Sequence, residues 1–508
     1  MKKKTIILMI PLLIFTLVVS GCERGSESLS DNSRPTLGSE EPTSTTTTST
    51  TSTTITSTEG RTGQKELSFY ATNDFHGSIV ETNSEPGIFK LGSYLKSEFA
   101  AKRNKTVYVD AGDIWQGSAD SNINRGKFLV EAMNVLKLDA QTIGNHEFDW
   151  YDTVIETNKE LANYPFLGAN IMVRETGELA TNLVSYDETF KASTMVTRND
   201  VNIGIIGTIG MLEGSILAGA IAPYTFKPVT TYIEREAENL RAQGADMIVL
   251  STHDSLANSL GAYAPIIENK VVDIIFSGHH HVRDNQFIND VPIMQTEGNG
   301  KQVMEVHGYY DFNLKEFKVT SREFTEAADI KRDYTEDTEL LNLFNEKYAE
   351  EIERVKGEVI GSLTNYINKS TLVKLANKVM YNFASITHNP DTIIAVHNYG
   401  GVRVDGIDAG EVTYGDIYKA FPFDNEIKMF EDVLGSTASS FIGSNASYPI
   451  GKFDIQNDQE YTIVTIDYVS DSKYSNIREY PHTVTGEYVR ELIAEYFRTN
   501  GEIDPYTI

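Results

Sequence analysis

The chain has 508 residues and carries 72 acidic against 44 basic side chains, a formal net charge of −28. A surface so acidic argues against nucleic-acid polymers as partners, because those are held by a positive footprint. One cysteine excludes an internal disulfide, and the length exceeds what one ordinary core organises, so more than one domain is expected.

At the start, Lys2, Lys3 and Lys4 precede an apolar run over residues 6–19. This is the layout of a secretory signal peptide, and it is too short for a comfortable membrane span. Cys22 follows Val19-Ser20-Gly21, which resembles a bacterial lipobox. That resemblance implies a signal peptide of residues 1–21, a lipid on Cys22, and a protein anchored at the extracellular face of the bacterial cell membrane. Residues 22–65 then read as a disordered tether, since residues 43–58 are nearly all Ser and Thr and cannot bury a core.

From residue 66 the pattern alternates. Apolar, β-branched runs at 67–72, 106–109, 140–143, 201–206, 247–251 and 273–277 predict strands, and helical spacing predicts helices over 128–136 and 230–243. This is an α/β arrangement. Five of the runs lead into polar clusters: Asp74-Phe75-His76, Asp110-Ala111-Gly112-Asp113, Gly144-Asn145-His146-Glu147-Phe148-Asp149, Ser251-Thr252-His253 and Gly278-His279-His280-His281. Ligands of open α/β sheets bind at the carboxyl ends of strands, which is where these clusters fall. Carboxylate, amide and imidazole groups converging there suit two hydrolytic metal ions, with one carboxylate able to bridge them.

Leu340, Leu341, Phe344, Tyr348 and Ile352 recur at three-to-four spacing, which predicts a linker helix of about 20 residues within 335–358. Beyond it, His397-Asn398-Tyr399-Gly400-Gly401-Val402-Arg403 offers a glycine-rich turn ending in a guanidinium, suited to close approach of a phosphate or ribose. Phe423, in Ala420-Phe421-Pro422-Phe423, and Tyr468 are aromatic faces that could grip a planar ring or pack in a core.

The ordered set Asp74-x-His76, Gly112-Asp113, Gly144-Asn145-His146-Glu147, His253 and Gly278-His279-x-His281 resembles the calcineurin-like metallophosphoesterases. The fuller Asn145-His146-Glu147-Phe148-Asp149 and the run from Asp110 to Ser118 are similar to the 5′-nucleotidase branch. This resemblance implies a four-layer α/β/β/α catalytic domain over 66–330, joined by the linker helix to an α+β substrate-binding domain over 360–508. It implies two divalent metals (Mn, Zn, Co or Fe), one held by Asp74, His76, Asp113 and His281, the other by Asp113, Asn145, His253 and His279. His280 is expected to face away, and Asp110 and Glu147 to orient ligands. His146, held by Asp149, is the implied transition-state group, with water activated by the metals as nucleophile. Asn398 and Arg403 match substrate contacts, and Phe423 and Tyr468 a clamp on a nucleotide base. Three places depart from the family: Asp254-Ser255 after His253, the absence of Arg and Glu in 371–377, and Asp471-Ser472-Lys473-Tyr474 after the second aromatic.

The implied reaction is release of phosphate from a nucleotide or related phosphate ester. Nucleotide sugars, nucleoside di- and triphosphates and 2′,3′-cyclic nucleotides are alternatives, since the same centre serves all of them. A lipid-anchored nucleotide-binding receptor is the rival outside enzymes, and it would have no need of His146 and Asp149.

Overall fold

A computed structural model of the chain describes residues 60–508, apart from 101, 255, 446–448, 452–453 and 473–474. The signal-like run, Cys22 and the tether up to residue 59 lie outside the described residues, as do Ser255, Lys473 and Tyr474. No helix among the described residues is long and apolar enough to cross a membrane.

The first strand, Gln64–Thr72, takes in Gln64 and Lys65 from the expected tether and becomes a central strand of a six-stranded sheet. It pairs in parallel with Thr106–Asp110, which leads on to Ala140–Thr142 and Phe166–Leu167, and antiparallel with Gln302–Asp311, whose outer neighbour is Glu316–Glu326. A second six-stranded sheet runs in the order Asp284–Ile288, Val291–Gln295, Ile274–Ser277, Met247–His253, Val201–Ile209, Ser193–Arg198.

The period-two pattern of the strands builds the layers. Leu67, Phe69 and Ala71 meet Val201, Ile203, Ile205, Val249 and Phe276 of the other sheet in a core between the two sheets. Tyr70 and Tyr108 point the other way, under the helices Gly87–Ala100 and Lys127–Leu136. On the far side, Ile206, Ile248 and Leu250 pack beneath Val229–Ala242 and the helix that contains Tyr263 and Ile266. Helix, sheet, sheet, helix are therefore the four layers.

The linker departs from expectation by breaking in two. Thr338–Lys347 and Ala349–Lys356 meet at Tyr348, whose φ of −127° and ψ of −33° leave the helical region. Leu340, Phe344 and Ile352 are buried in the first half's core, whereas Val355 packs against the core of the C-terminal half. That second core gathers around a mixed five-stranded sheet in the order Ile450–Gly451, Ile393–Val396, Glu460–Ile466, Glu426–Leu434, His482–Tyr488. The segment 371–377, where the family's Arg and Glu are missing, lies inside the helix Lys369–Ala384, and Leu372, Val373, Leu375 and Ala376 face this core.

Candidate metal centre

The strand ends converge as their polarity predicts. Thr72, Asp110 and His253 close parallel strands whose next residues turn sharply. Asp74, His76, Asp113, His279 and His281 all take positive φ, at 48°, 47°, 59°, 82° and 50°. For residues with a Cβ this costs about 1–3 kcal/mol each, a strain that persists where surrounding structure over-determines it and that collects at functional sites.

The turns bring two groups together. Asp74, His76 and His281 form one and Asp113, His253 and His279 the other, with the candidate ligand atoms of each group within 4.8 Å of one another. Asp113 stands between them, its Oδ2 3.1 Å from His253 Nε2 and 3.9 Å from His76 Nε2. Asn145 Oδ1 lies 3.1 Å from His253 Nε2 and 2.9 Å from His279 Nδ1. His280 is exposed, with its ring beside that of His279.

The direction of the lone pairs decides whether these groups fit a cation. His253 Nδ1 is 2.7 Å from the Ala111 carbonyl, and His76 Nδ1 is 2.8 Å from the Gln116 carbonyl. Each ring therefore donates at Nδ1 and, when neutral, presents an acceptor at Nε2. His76 Nε2 then lies 3.1 Å from His281 Nε2, and the Nε2 acceptor of a neutral His253 faces two oxygens that also accept. Such facing acceptors need positive charge between them. The same demand shows in the protonation equilibria: burial opposes charge on His253, yet Asp113 and Asp74 raise its pKa to about 10. His76 and His279, by contrast, are held as neutral rings by burial, at about 3 and 4. The residues fit divalent cations.

Around the groups lies a supporting set only partly visible in the sequence. Glu147, fully buried, accepts from the backbone N–H groups of Asp113, Ile114 and Gly144 at 2.9, 2.9 and 2.7 Å, and so ties two loops together. Burial and the neighbouring Asp113 raise its pKa to about 7. Asp110 accepts from Thr72 Oγ1 and the Gly112 N–H. Asn73 and Thr296 were not signalled by any motif: the Asn73 amide donates to Asp74 Oδ2 at 2.5 Å, and its Oδ1 accepts from the Thr296 hydroxyl at 2.7 Å. Gly144 is glycine because a Cβ there would collide with Asp113 Oδ1.

His146 belongs to neither ligand group. Its backbone N–H donates to Asp113 Oδ1 at 2.8 Å, and its Nδ1 sits 2.8 Å from Asp149 Oδ2. Burial disfavours the charged ring, but Asp149 and Asp113 outweigh it and raise the pKa to about 9. An imidazolium at neutral pH is the outcome.

His146 and Asp149 open on a cavity of about 270 Å³ that Asn145, His279, Asn398, Arg403, Phe423 and Tyr468 also line. All four C-terminal residues expected at the substrate thus share one cavity with the strand-end loops. Phe423 is placed by the helix Tyr414–Ala420, whose Thr413 and Asp416 form a capping box, and its backbone is held by Arg490. Its ring stacks toward His146 with centroids 5.9 Å apart, and the Arg403 guanidinium lies 5.6 Å from its centre. Tyr468 is 41% exposed and follows the strand Glu460–Ile466. Asp471, in the altered segment after it, pairs with Lys428 at 2.8 Å. Asp424 and Asp467 line the same cavity and were not expected there.

A family model described as 5′-nucleotidase, C-terminal domain, matches residues 319–437. The chain is similar to the endonuclease YhcR of Bacillus subtilis, 25% identical over 511 residues that cover 87% of this chain and 40% of that protein. It is similar to the 5′-nucleotidase of Vibrio vulnificus, 26% identical over 439 residues that cover 76% of each. The chain thus spans less than half the length of the first relative and about three quarters of the second. Its fold matches the crystal structure of a 5′-nucleotidase precursor from Thermus thermophilus with a TM-score of 0.69 at 18% identity, covering 86% of this chain and 97% of that one. The motifs, the layered fold and the C-terminal match agree: the chain carries a 5′-nucleotidase C-terminal domain match over residues 319–437 and is similar in sequence and fold to 5′-nucleotidases.

Proposed function

We propose that the chain hydrolyses nucleotide phosphate esters, with a nucleoside monophosphate as the preferred class. The observation that carries this reading is one cavity shared by residues of the ligand groups, the His146–Asp149 pair and the Arg403–Phe423–Tyr468 wall. Asp74, His76, Asp113 and His281 would hold one divalent cation, and Asp113, Asn145, His253 and His279 the other. Two such cations supply Lewis-acid charge to phosphoryl oxygens and bring the pKa of water toward neutrality. Asp149 fixes the His146 ring through Nδ1, which leaves Nε2–H to stabilise charge on a phosphoryl oxygen or to give its proton to the leaving oxygen. Arg403 adds a fixed positive charge, Asn398 an amide, and Phe423 with Tyr468 the faces for a base.

A second cavity of about 990 Å³ lies beyond Gln116, lined by His76, His281, Lys356 and Lys419. It favours, as second reading, a phosphate with a larger substituent, such as a nucleotide sugar or a nucleoside triphosphate.

The test is release of inorganic phosphate from a panel of nucleotides, nucleotide sugars and a simple aryl phosphate, with and without Mn²⁺, Co²⁺, Zn²⁺ and Mg²⁺, in wild type and Phe423→Ala. If Phe423 stacks on the base, its loss should cost about 1–3 kcal/mol. At 1.4 kcal/mol per decade this raises KM for a nucleoside monophosphate about 5- to 150-fold while leaving the aryl phosphate nearly unchanged. Equal losses on both, with a lower melting temperature, would return Phe423 to a packing role. Nucleotide binding without metal-dependent hydrolysis of any substrate would favour a receptor.

The basic start, the apolar run and Cys22 support export and lipid anchoring at the extracellular face of the cell membrane, spaced by the Ser/Thr-rich segment. Fatty-acid labelling of the protein in cells should disappear in Cys22→Ser. Labelling that persists would sink the anchor.

A further inference from the structure

Gln116 sits where the two cavities meet, lining both. It is 3% exposed, and its Nε2 is fully buried without an acceptor among the described residues. Native interiors rarely leave a polar group in that condition, because burial removes its water and nothing replaces it. The backbone beneath this side chain is held in place. The Gln116 carbonyl is engaged by His76 Nδ1 at 2.8 Å, and the following Gly117 packs so closely that a Cβ there would collide with the His76 carbonyl oxygen. Arg403 lines the same two cavities, so the amide and the guanidinium border one space. An unpaired donor on a residue that lines these cavities together with candidate cation ligands and a guanidinium has the chemistry to bind an oxyanion.

Resting on the proposed hydrolysis, we propose that the Gln116 side-chain amide is a phosphate-binding group of the site, donating N–H to a phosphoryl oxygen of the substrate. The buried amide then finds its partner only when substrate is bound, so the free protein carries the cost of leaving it unpaired. Function and stability therefore pull in opposite directions at this position.

That opposition supplies the test. Gln116→Met keeps the length of the side chain and removes the polar end. The full chain with this substitution, assayed with Mn²⁺, should lose about 10- to 100-fold in kcat/KM, as for a hydrogen bond to a charged group. Because the phosphoryl group is common to all substrates, the loss should be equal on a nucleoside monophosphate and an aryl phosphate, unlike that of Phe423→Ala. Inhibition by inorganic phosphate should weaken in step, metal content should be unchanged, and the melting temperature should hold or rise. Gln116→Glu, of the same size but anionic, should lose more than Gln116→Met on every substrate. Unchanged kinetics in Gln116→Met, in a wild type that does hydrolyse these esters, would overturn the inference while leaving the reaction standing. Loss of metal with a lower melting temperature would also overturn it, by making Gln116 a support for His76. A wild type without activity would remove the proposed reaction and this role together.

Discussion

Asp113→Ala is expected to bring turnover to background and to empty the candidate cation sites. Asp113 lies between the two ligand groups, with Oδ2 directed at His253 and His76, so its loss removes negative charge from both at once. Burial opposes charge on this carboxylate, but His253 and His146 beside it hold its pKa well below the usual range, which keeps it ionised and available. Its other oxygen accepts from the His146 N–H, so the alanine variant also frees the loop that carries His146. Asp113→Asn separates the two effects, because an amide oxygen preserves that hydrogen bond while the charge is gone. Both variants should lose bound metal by elemental analysis, and neither should hydrolyse a nucleotide measurably. Full metal content with a near-normal rate in either one would refute a carboxylate shared by two cations.

His146→Asn should instead keep its metals and lower kcat by roughly 10²- to 10⁴-fold, the range for losing one transition-state-stabilising or proton-transferring group. The ring stands outside both ligand groups, is turned by Asp149, and reaches the cavity. KM should change far less than kcat, since the group acts on charge that develops during the reaction. An emptied cation site in this variant would make His146 a ligand, and a raised KM at normal kcat would make it a simple binding group.

These two residues also mark where local sequence suffices. The resemblance implied that Asp149 holds His146, and a separation of three residues lets a single turn of chain make the contact. The break at Tyr348 had no such local sign. The apolar residues around it keep helical spacing throughout, and only the backbone of the folded chain shows that Tyr348 leaves the helical region between two helices. Asn73 and Thr296 were invisible for a related reason: their hydrogen bonds join residues 223 apart, and neither type is unusual in a polar loop.

The sequence by itself determined six strands of the first half, because runs of apolar, β-branched residues are a local property that survives without knowledge of partners. It also determined which polar residues stand at the strand ends, and by resemblance which chemistry they suit. The tertiary structure alone decided their grouping. His76 meets His281 across 205 residues, and Phe423 reaches His146 from the other half of the chain, only because two sheets stack with their carboxyl ends together and a second core presses its loops against them. It alone showed Glu147 holding three backbone N–H groups and the Gln116 amide left without an acceptor among the described residues. The reason is physical: a side chain's partner depends on register, sheet stacking and burial summed over the whole fold, and no stretch of chain carries that sum.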